Sequence, residues 1–112
     1  LATTLKETAM ESGKCIRIRE RSIPVAPQVK GACDLLGLDP LYVANEGIVM
    51  AVVDPSMGKA VLEVMRKHPY GAHARSIGSV EDSPGGMVLL ETLAGGTRII
   101  EMLQGEQLPR IC

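Results

Sequence analysis

The last residue of the chain, Cys112, is the side chain best suited to carry a reactive group. A terminal thiol has little steric cover, a carboxylate beside it and no following chain to anchor it. Residues 104–112 contain Gly105 and Pro109 and show no apolar period, so they predict a mobile arm. Fully extended, the residues from Gly105 reach roughly 25 Å at about 3.3 Å each. Such a thiol suits transfer between active sites, and the alternative is an incidental or structural cysteine.

An amide and a carboxylate, Asn45 and Glu46, form the second candidate site. They precede Gly47 and the apolar run 48–53, and loops beside buried strands often carry catalytic groups. The other interpretation is an ordinary Asn-Gly turn with a solvated carboxylate. The spacing alone leaves both open.

The remaining histidines and cysteines favour structural roles. His68 and His73 are spaced like one half of a zinc-binding motif, but no C-x-x-C pair accompanies them. We therefore expect His68 to lie at a helix end and His73 in a surface loop. Cys33 lies on an apolar helix face and is expected to pack there. Cys15 lies on the polar face of a predicted strand, which indicates an exposed, incidental thiol.

Composition places the chain among ordinary globular domains. It has 112 residues, 46% of them hydrophobic and 22% charged, with a net charge of -1 and two aromatic residues. These values argue against nucleic acid and membrane partners. Three cysteines without an evident pairing fit a reducing cytoplasm. Because the chain begins at Leu1 in helix-like sequence, we expect a preceding N-terminal part.

Hydrophobic periodicity predicts an α/β (α+β) fold in which a mixed sheet of about four to six strands is covered by helices. Helices are predicted at 1–12, at 26–37 and from a cap at Asp54 to Pro69. Their buried stripes are predicted around Leu5 and Ala9 in the first and at the following positions in the others: Val29, Ala32, Cys33, Leu36, Met57, Ala60, Val61, Val64 and Met65.

Five strands are predicted, at 14–19, 48–53, 74–82, 87–93 and 97–103. In the first, Ile16 and Ile18 should face inward. The run 48–53 is apolar on both faces, which predicts a central strand. Glycine-rich turns join the last three strands and predict a meander. The domain is expected to span 1–103, followed by the tail 104–112.

Three segments resemble the C-terminal domain of the AIR-synthase-related (PurM-like) family, and within it the HypE-type hydrogenase maturation factors. They are LATTL at 1–5, LDPLYVANEG at 38–47 and GEQLPRIC at 105–112. The middle block is shared more loosely across the wider family, and the Pro-Arg-Ile-Cys ending is specific to this member. The resemblance covers the whole chain. It implies a preceding domain that forms a homodimer and most of an ATP site.

The resemblance also implies a chemistry for the terminal thiol. A partner carbamoyltransferase would place a carbamoyl group on Cys112. ATP with Mg²⁺ would then drive dehydration to a thiocyanate. The cyano group would pass to an iron on a scaffold complex and become a cyanide ligand of [NiFe]-hydrogenase.

The same resemblance suggests roles for individual residues. Glu46 is expected to remove protons during dehydration, with Asn45 orienting it. Arg110 is expected to guide the tail toward phosphate or toward the partner, while Pro109 and Ile111 help to seat it in a groove.

Two alternatives come from other functional classes. The domain could be a docking module for the carbamoyltransferase and the scaffold, with all catalysis in the preceding domain. It could also belong to a nucleotide-dependent synthase or kinase that acts on a free small molecule. Cys112 argues against the second, because such an enzyme needs no tethered thiol. By itself the chain is expected to lack ATPase activity, since it has no nucleotide-binding loop.

Overall fold

A computed structural model describes residues 1–102, which form helices and one four-stranded mixed sheet. This confirms the predicted mixed α and β architecture. The α-helices and strands of the described part are α1 (Ala2–Ser12), β1 (Cys15–Arg19), α2 (Pro27–Leu36), α3 (Gly58–Lys67), β2 (Gly78–Glu81), β3 (Val88–Glu91) and β4 (Thr97–Ile100).

The strand order is β2-β1-β3-β4, so the predicted meander is wrong. β1 lies between β2 and β3, antiparallel to the first and parallel to the second, and only β3 and β4 form a hairpin. The physical reason is that β1 and β3 each carry three buried side chains and take the two central positions, whereas β2 carries none and lies at an edge. Glycine turns show where strands end, but not which edges pair.

The core lies between α1 and one face of the sheet. Ala2, Leu5 and Ala9 recur at helical spacing on the buried side of α1, which ends at Gly13 in the left-handed conformation, with a φ of 66°. The sheet contributes side chains that alternate along its strands, as a half-buried sheet requires. They are Ile16, Ile18, Val88, Leu90 and Ile100. The predictions for 1–12 and 14–19 are therefore confirmed.

Most residues of the predicted stripes in the second and third helices are exposed or half-buried instead of buried. Cys33 is the buried residue of α2, as expected, whereas Val29 and Leu36 are 45% and 68% exposed. None of the residues of α3 is buried, and Met57 just before it is also exposed. Periodicity reports that a helix has an apolar face. It does not report which element covers that face. In this structure, α1 packs on the sheet and forms the core with it.

The apolar run 48–53 does not form the predicted central strand. It pairs with none of the four strands, and Val49 is 77% exposed. A run that is apolar on both faces needs a strand on each side. In residues 1–102 the central positions are taken by β1 and β3, so this segment has no ladder.

Two smaller predictions are also corrected. Asp54 does not cap α3, which begins at Gly58; its carboxylate instead accepts the N–H of Ser56 at 2.8 Å and closes a turn. Hydrogen bonds from the Ser56 hydroxyl and N–H lower the pKa of Asp54. Cys15, expected to be exposed, is fully buried, because β1 is flanked on both sides and its small side chain is covered.

A carboxylate–guanidinium pair ties the edge strand β2 to β1. Arg17 Nε and Nη2 donate to the two oxygens of Glu81 at 3.0 and 3.3 Å. These hydrogen bonds lower the pKa of Glu81 and raise that of Arg17. The paired arrangement is bidentate, which adds geometric specificity to the strand register.

Close backbone contact makes Gly78 the most sensitive position of β2. A Cβ there would collide with the carbonyl oxygen of Arg17 on the neighbouring strand. We expect Gly78→Ala to lower the free energy of unfolding by about 1–3 kcal/mol, as overpacking does. Chemical denaturation measures it.

Gly31→Ala is the matched control for that substitution. Gly31 lies in α2 and has no neighbouring atom within 4 Å of the added Cβ. Because alanine favours helix, this variant should gain roughly 0.5–1 kcal/mol. Equal stability of the two variants would contradict the packing described for β2.

Candidate functional site

The structure places Asn45 and Glu46 together in an exposed loop. Both side chains are exposed, and Gly47 follows with a φ of 81°. Neither side chain has a hydrogen-bond partner or ion pair among the described residues. An exposed carboxylate without a partner can accept a proton from a group brought to it. The other predicted site residues, Pro109, Arg110, Ile111 and Cys112, lie outside the described residues.

The loop starts from an anchored segment. The Asp39 carboxylate accepts the N–H of Leu41 at 2.9 Å and a bond from Arg98 Nη2 at 2.8 Å. Leu41 is buried in the core, and its carbonyl accepts the N–H of Ala2 at 2.9 Å. The segment is therefore fixed to β4 through Asp39 and to α1 through Leu41.

The same segment contacts the end of the described chain. The Tyr42 hydroxyl donates to the carbonyl oxygen of Glu101 at 2.9 Å. Lys6 approaches the Glu101 carboxylate at 3.5 Å while donating to the Gly86 carbonyl at 3.1 Å. The Lys6 side chain is nearly buried. Tyr42, which precedes the loop with Asn45, is thus in contact with Glu101, which precedes the terminal segment.

Chain length then sets what the terminal thiol can reach. From Met102 to Cys112 the chain has 11 residues, which span at most roughly 36 Å at about 3.3 Å each. Glu46 follows Tyr42 by four residues, a span of at most roughly 13 Å by the same measure. The length of the chain therefore permits a thiol at Cys112 to reach Glu46.

The sequence singled out Asn45 and Glu46 as candidates, but not the groups that anchor the segment before them. Asp39, Tyr42, Arg98 and Lys6 make contacts between residues far apart in the chain. One signal was present, because Asp followed by Pro commonly starts a turn. The partners of that turn are not visible in the sequence.

Other expected features can be placed as well. His68 follows the last residue of α3, as predicted, and its Nδ1 accepts the N–H of Tyr70 at 3.3 Å. Within residues 1–102 no group of three His, Cys, Asp or Glu side chains is arranged to hold a metal ion. No helix in that range is long and apolar enough to cross a membrane.

Comparison with known proteins gives a consistent result. Residues 1–91 match the family described as AIR synthase related protein, C-terminal domain. A carbamoyl dehydratase HypE from Cupriavidus necator is 51% identical over 112 residues, which is 100% of this chain and 32% of the relative. The chain thus spans about a third of the length of the curated relatives that it matches.

Solved structures share the fold and a large part of the sequence. A HypE structure in complex with ATP has a TM-score of 0.91 and 44% identity, and covers 100% of this chain and 35% of that chain. A HypE–HypF complex has a TM-score of 0.83 and 41% identity, and covers 89% and 32%.

The family match extends over α1, the whole of the anchored loop and the strands β1 to β3. The fold described above, with its four-stranded mixed sheet, also matches that of the corresponding part of the HypE structure with ATP. The chain belongs to the family of AIR synthase related protein C-terminal domains.

Proposed function

We propose that the protein carrying this chain is an ATP-dependent carbamoyl dehydratase of hydrogenase maturation, acting on its own Cys112. The observation that carries this proposal is the hydrogen bond from Tyr42 to Glu101, since it joins the Asn45-Glu46 loop to the start of the thiol-bearing segment. Support also comes from relatives named carbamoyl dehydratase HypE and from a HypE structure with ATP.

The reaction begins with a carbamoyl group, –C(=O)NH₂, on the sulfur of Cys112. The carbamoyl oxygen takes the γ-phosphoryl group of ATP, which releases ADP. The C–O bond then breaks with phosphate as the leaving group, and the nitrogen loses both of its protons to a base. The product is S–C≡N, and the net change is the removal of one water whose oxygen ends in phosphate.

Two residues of the exposed loop have roles in this step. Glu46 accepts a proton from the carbamoyl nitrogen, for which an unpaired carboxylate within reach of the thiol is suited. Asn45 orients either the carboxylate or the carbamoyl amide. In the terminal segment, Arg110 directs the tail toward phosphate or toward the partner, and Pro109 and Ile111 seat it.

ATP and Mg²⁺ are expected to be held mainly outside this chain. Among residues 1–102 no three His, Cys, Asp or Glu side chains are grouped so as to hold a metal ion. The chemistry assigned to the described residues is proton transfer and positioning of the tail.

The proposal includes partners. A carbamoyltransferase loads Cys112, and a solved HypE–HypF complex is consistent with a stable partner of this kind. An iron-scaffold complex receives the cyano group, and a homodimer forms through the preceding domain. The competing function is a docking module for the same partners, with all catalysis elsewhere.

Tyr42→Phe tests the observation that carries the proposal. The variant loses the hydroxyl that holds Glu101 but keeps the ring. We expect carbamoylation of Cys112 to be unchanged and single-turnover dehydration to slow by about tenfold, because misplaced reacting groups lose effective concentration. Quench-flow sampling followed by mass spectrometry measures both steps.

Tyr70→Phe is the matched control. The side chain of Tyr70 is 97% exposed, and its hydroxyl has no partner among residues 1–102. This variant should dehydrate at the wild-type rate. If Tyr42→Phe also retains the wild-type rate, the contact with Glu101 does not serve the reaction.

A further inference from the structure

A basic cavity shares no lining residue with the contacts that fix the Asn45-Glu46 loop. It has a volume of about 550 Å³ and is lined by Arg21, Arg66, His73 and Arg75, together with Leu62 and small side chains. We refer to it as the arginine cleft, defined by Arg21, Arg66 and Arg75. None of these three residues takes part in the hydrogen bonds that hold Asp39, Leu41 or Tyr42.

The arginine cleft brings together three arginines that form no ion pair within residues 1–102. Its lining contains three guanidinium groups and no carboxylate. Among residues 1–102, none of the three has a carboxylate oxygen within 4.0 Å, whereas Arg17 and Arg98 are paired at 3.0 and 2.8 Å. The chain as a whole has a net charge of -1, so this concentration does not follow from composition.

Part of the arginine cleft is held in place by the fold. Arg66 Nε donates to the carbonyl oxygen of Ala74 at 2.9 Å, which fixes the guanidinium and leaves its two terminal nitrogens without a partner in the described residues. The segment that carries Ala74 is closed by two backbone bonds, Gly71 to His68 at 2.9 Å and Ala74 to Gly71 at 2.8 Å.

A close backbone contact supports the same turn. A Cβ on Gly71 would collide with the carbonyl oxygen of Met65, so the turn packs directly on the end of α3. The turn therefore places Arg75 close to Arg66 on α3, and both residues line the cleft. Arg21 comes from the segment that follows β1, and this third element completes the cleft.

We propose that the arginine cleft binds a phosphate-bearing small molecule. Guanidinium groups bind phosphate oxygens through paired, charge-assisted hydrogen bonds, and three such groups with no acid among them favour more than one negative charge. The volume falls in the range of about 300–1,000 Å³ that is usual for small-molecule sites. Inorganic phosphate and a nucleotide share this chemistry, and the experiment separates them.

The test measures binding of pyrophosphate, inorganic phosphate and ATP to the full-length protein by calorimetry. The main variant is Arg21→Gln with Arg75→Gln, since neither side chain forms a hydrogen bond within residues 1–102 and the fold should persist. We expect the Kd of pyrophosphate at this site to rise at least about tenfold, because two charged hydrogen-bonding groups are lost. Hydrogen exchange in 72–76 should slow with pyrophosphate in the wild type alone.

The control removes the same charge outside the cleft. Lys59→Gln with Lys67→Gln changes two exposed lysines of α3, which do not line the cavity, and should leave the Kd unchanged. Arg66→Lys keeps the charge but loses the planar fork, so an intermediate rise is expected. Tighter binding of ATP than of pyrophosphate through these arginines identifies a nucleotide as the ligand.

Three outcomes would overturn the proposal. The first is a Kd that the arginine variants do not change, which would place phosphate binding at another site. The second is an equal loss in the lysine control, which would indicate nonspecific attraction. The third is binding of a polyglutamate peptide, but not of any phosphate probe, which would make the cleft a protein docking surface.

Discussion

Replacing Cys112 with alanine is expected to abolish formation of both the carbamoyl and the cyano adduct. The two other cysteines of this chain, Cys15 and Cys33, are buried and are therefore not expected to take its place. Product should fall below detection, in contrast to the partial loss expected for a positioning residue. Peptide mass spectrometry after incubation with the carbamoyltransferase, carbamoyl phosphate and ATP measures it.

Two further variants make this result specific. Cys33→Ala removes a buried thiol and should leave both adducts on Cys112 intact. Deletion of 105–112 separates the carrier from the docking interpretation, since a docking module would still bind the carbamoyltransferase and the scaffold without its tail. Cyanide delivery that survives this deletion would show that Cys112 is not the carrier.

Replacing Glu46 with glutamine should allow carbamoylation but block dehydration. The substitution keeps the shape of the side chain and removes its capacity to take a proton. A positioned general base typically contributes a factor of about 10²–10⁴ to the rate. We therefore expect single-turnover conversion of the carbamoyl adduct to slow by that factor, with ATP binding unchanged.

Glu63→Gln is the matched control for Glu46→Gln. Glu63 is an exposed carboxylate on α3, outside the loop, and its loss should not alter the rate. A normal yield of thiocyanate from Glu46→Gln would remove this residue from the mechanism. The base would then lie elsewhere in the protein, and the docking function would gain support.

The parts of the fold that the sequence predicts best are those that pack against each other. The helix at 1–12 and the strand at 14–19 are found as predicted, because the buried side chains of α1 and β1 form a single core. The strand predicted at 48–53 is wrong for the opposite reason, because its apolar residues have no neighbouring strand in residues 1–102. Periodicity shows which segments have apolar side chains that need to be buried. It does not show whether a neighbouring element covers them.

The candidate site shows the same division. Asn45 and Glu46 could be found because their residue types and their position in a loop are local features. The contact of Tyr42 with Glu101 could not, because it joins positions 59 residues apart and depends on where β4 ends. The arginine cleft was missed for the same reason, since Arg21, Arg66 and Arg75 are brought together only by the fold.

The most direct test of the central claim is the mass of the C-terminal peptide before and after ATP is added to carbamoylated full-length protein. The account predicts that the adduct on Cys112 loses the mass of one water and that one ADP forms per peptide converted. A carbamoyl adduct that persists with ATP, or a Cys112 that stays unmodified while the carbamoyltransferase is active, would contradict it.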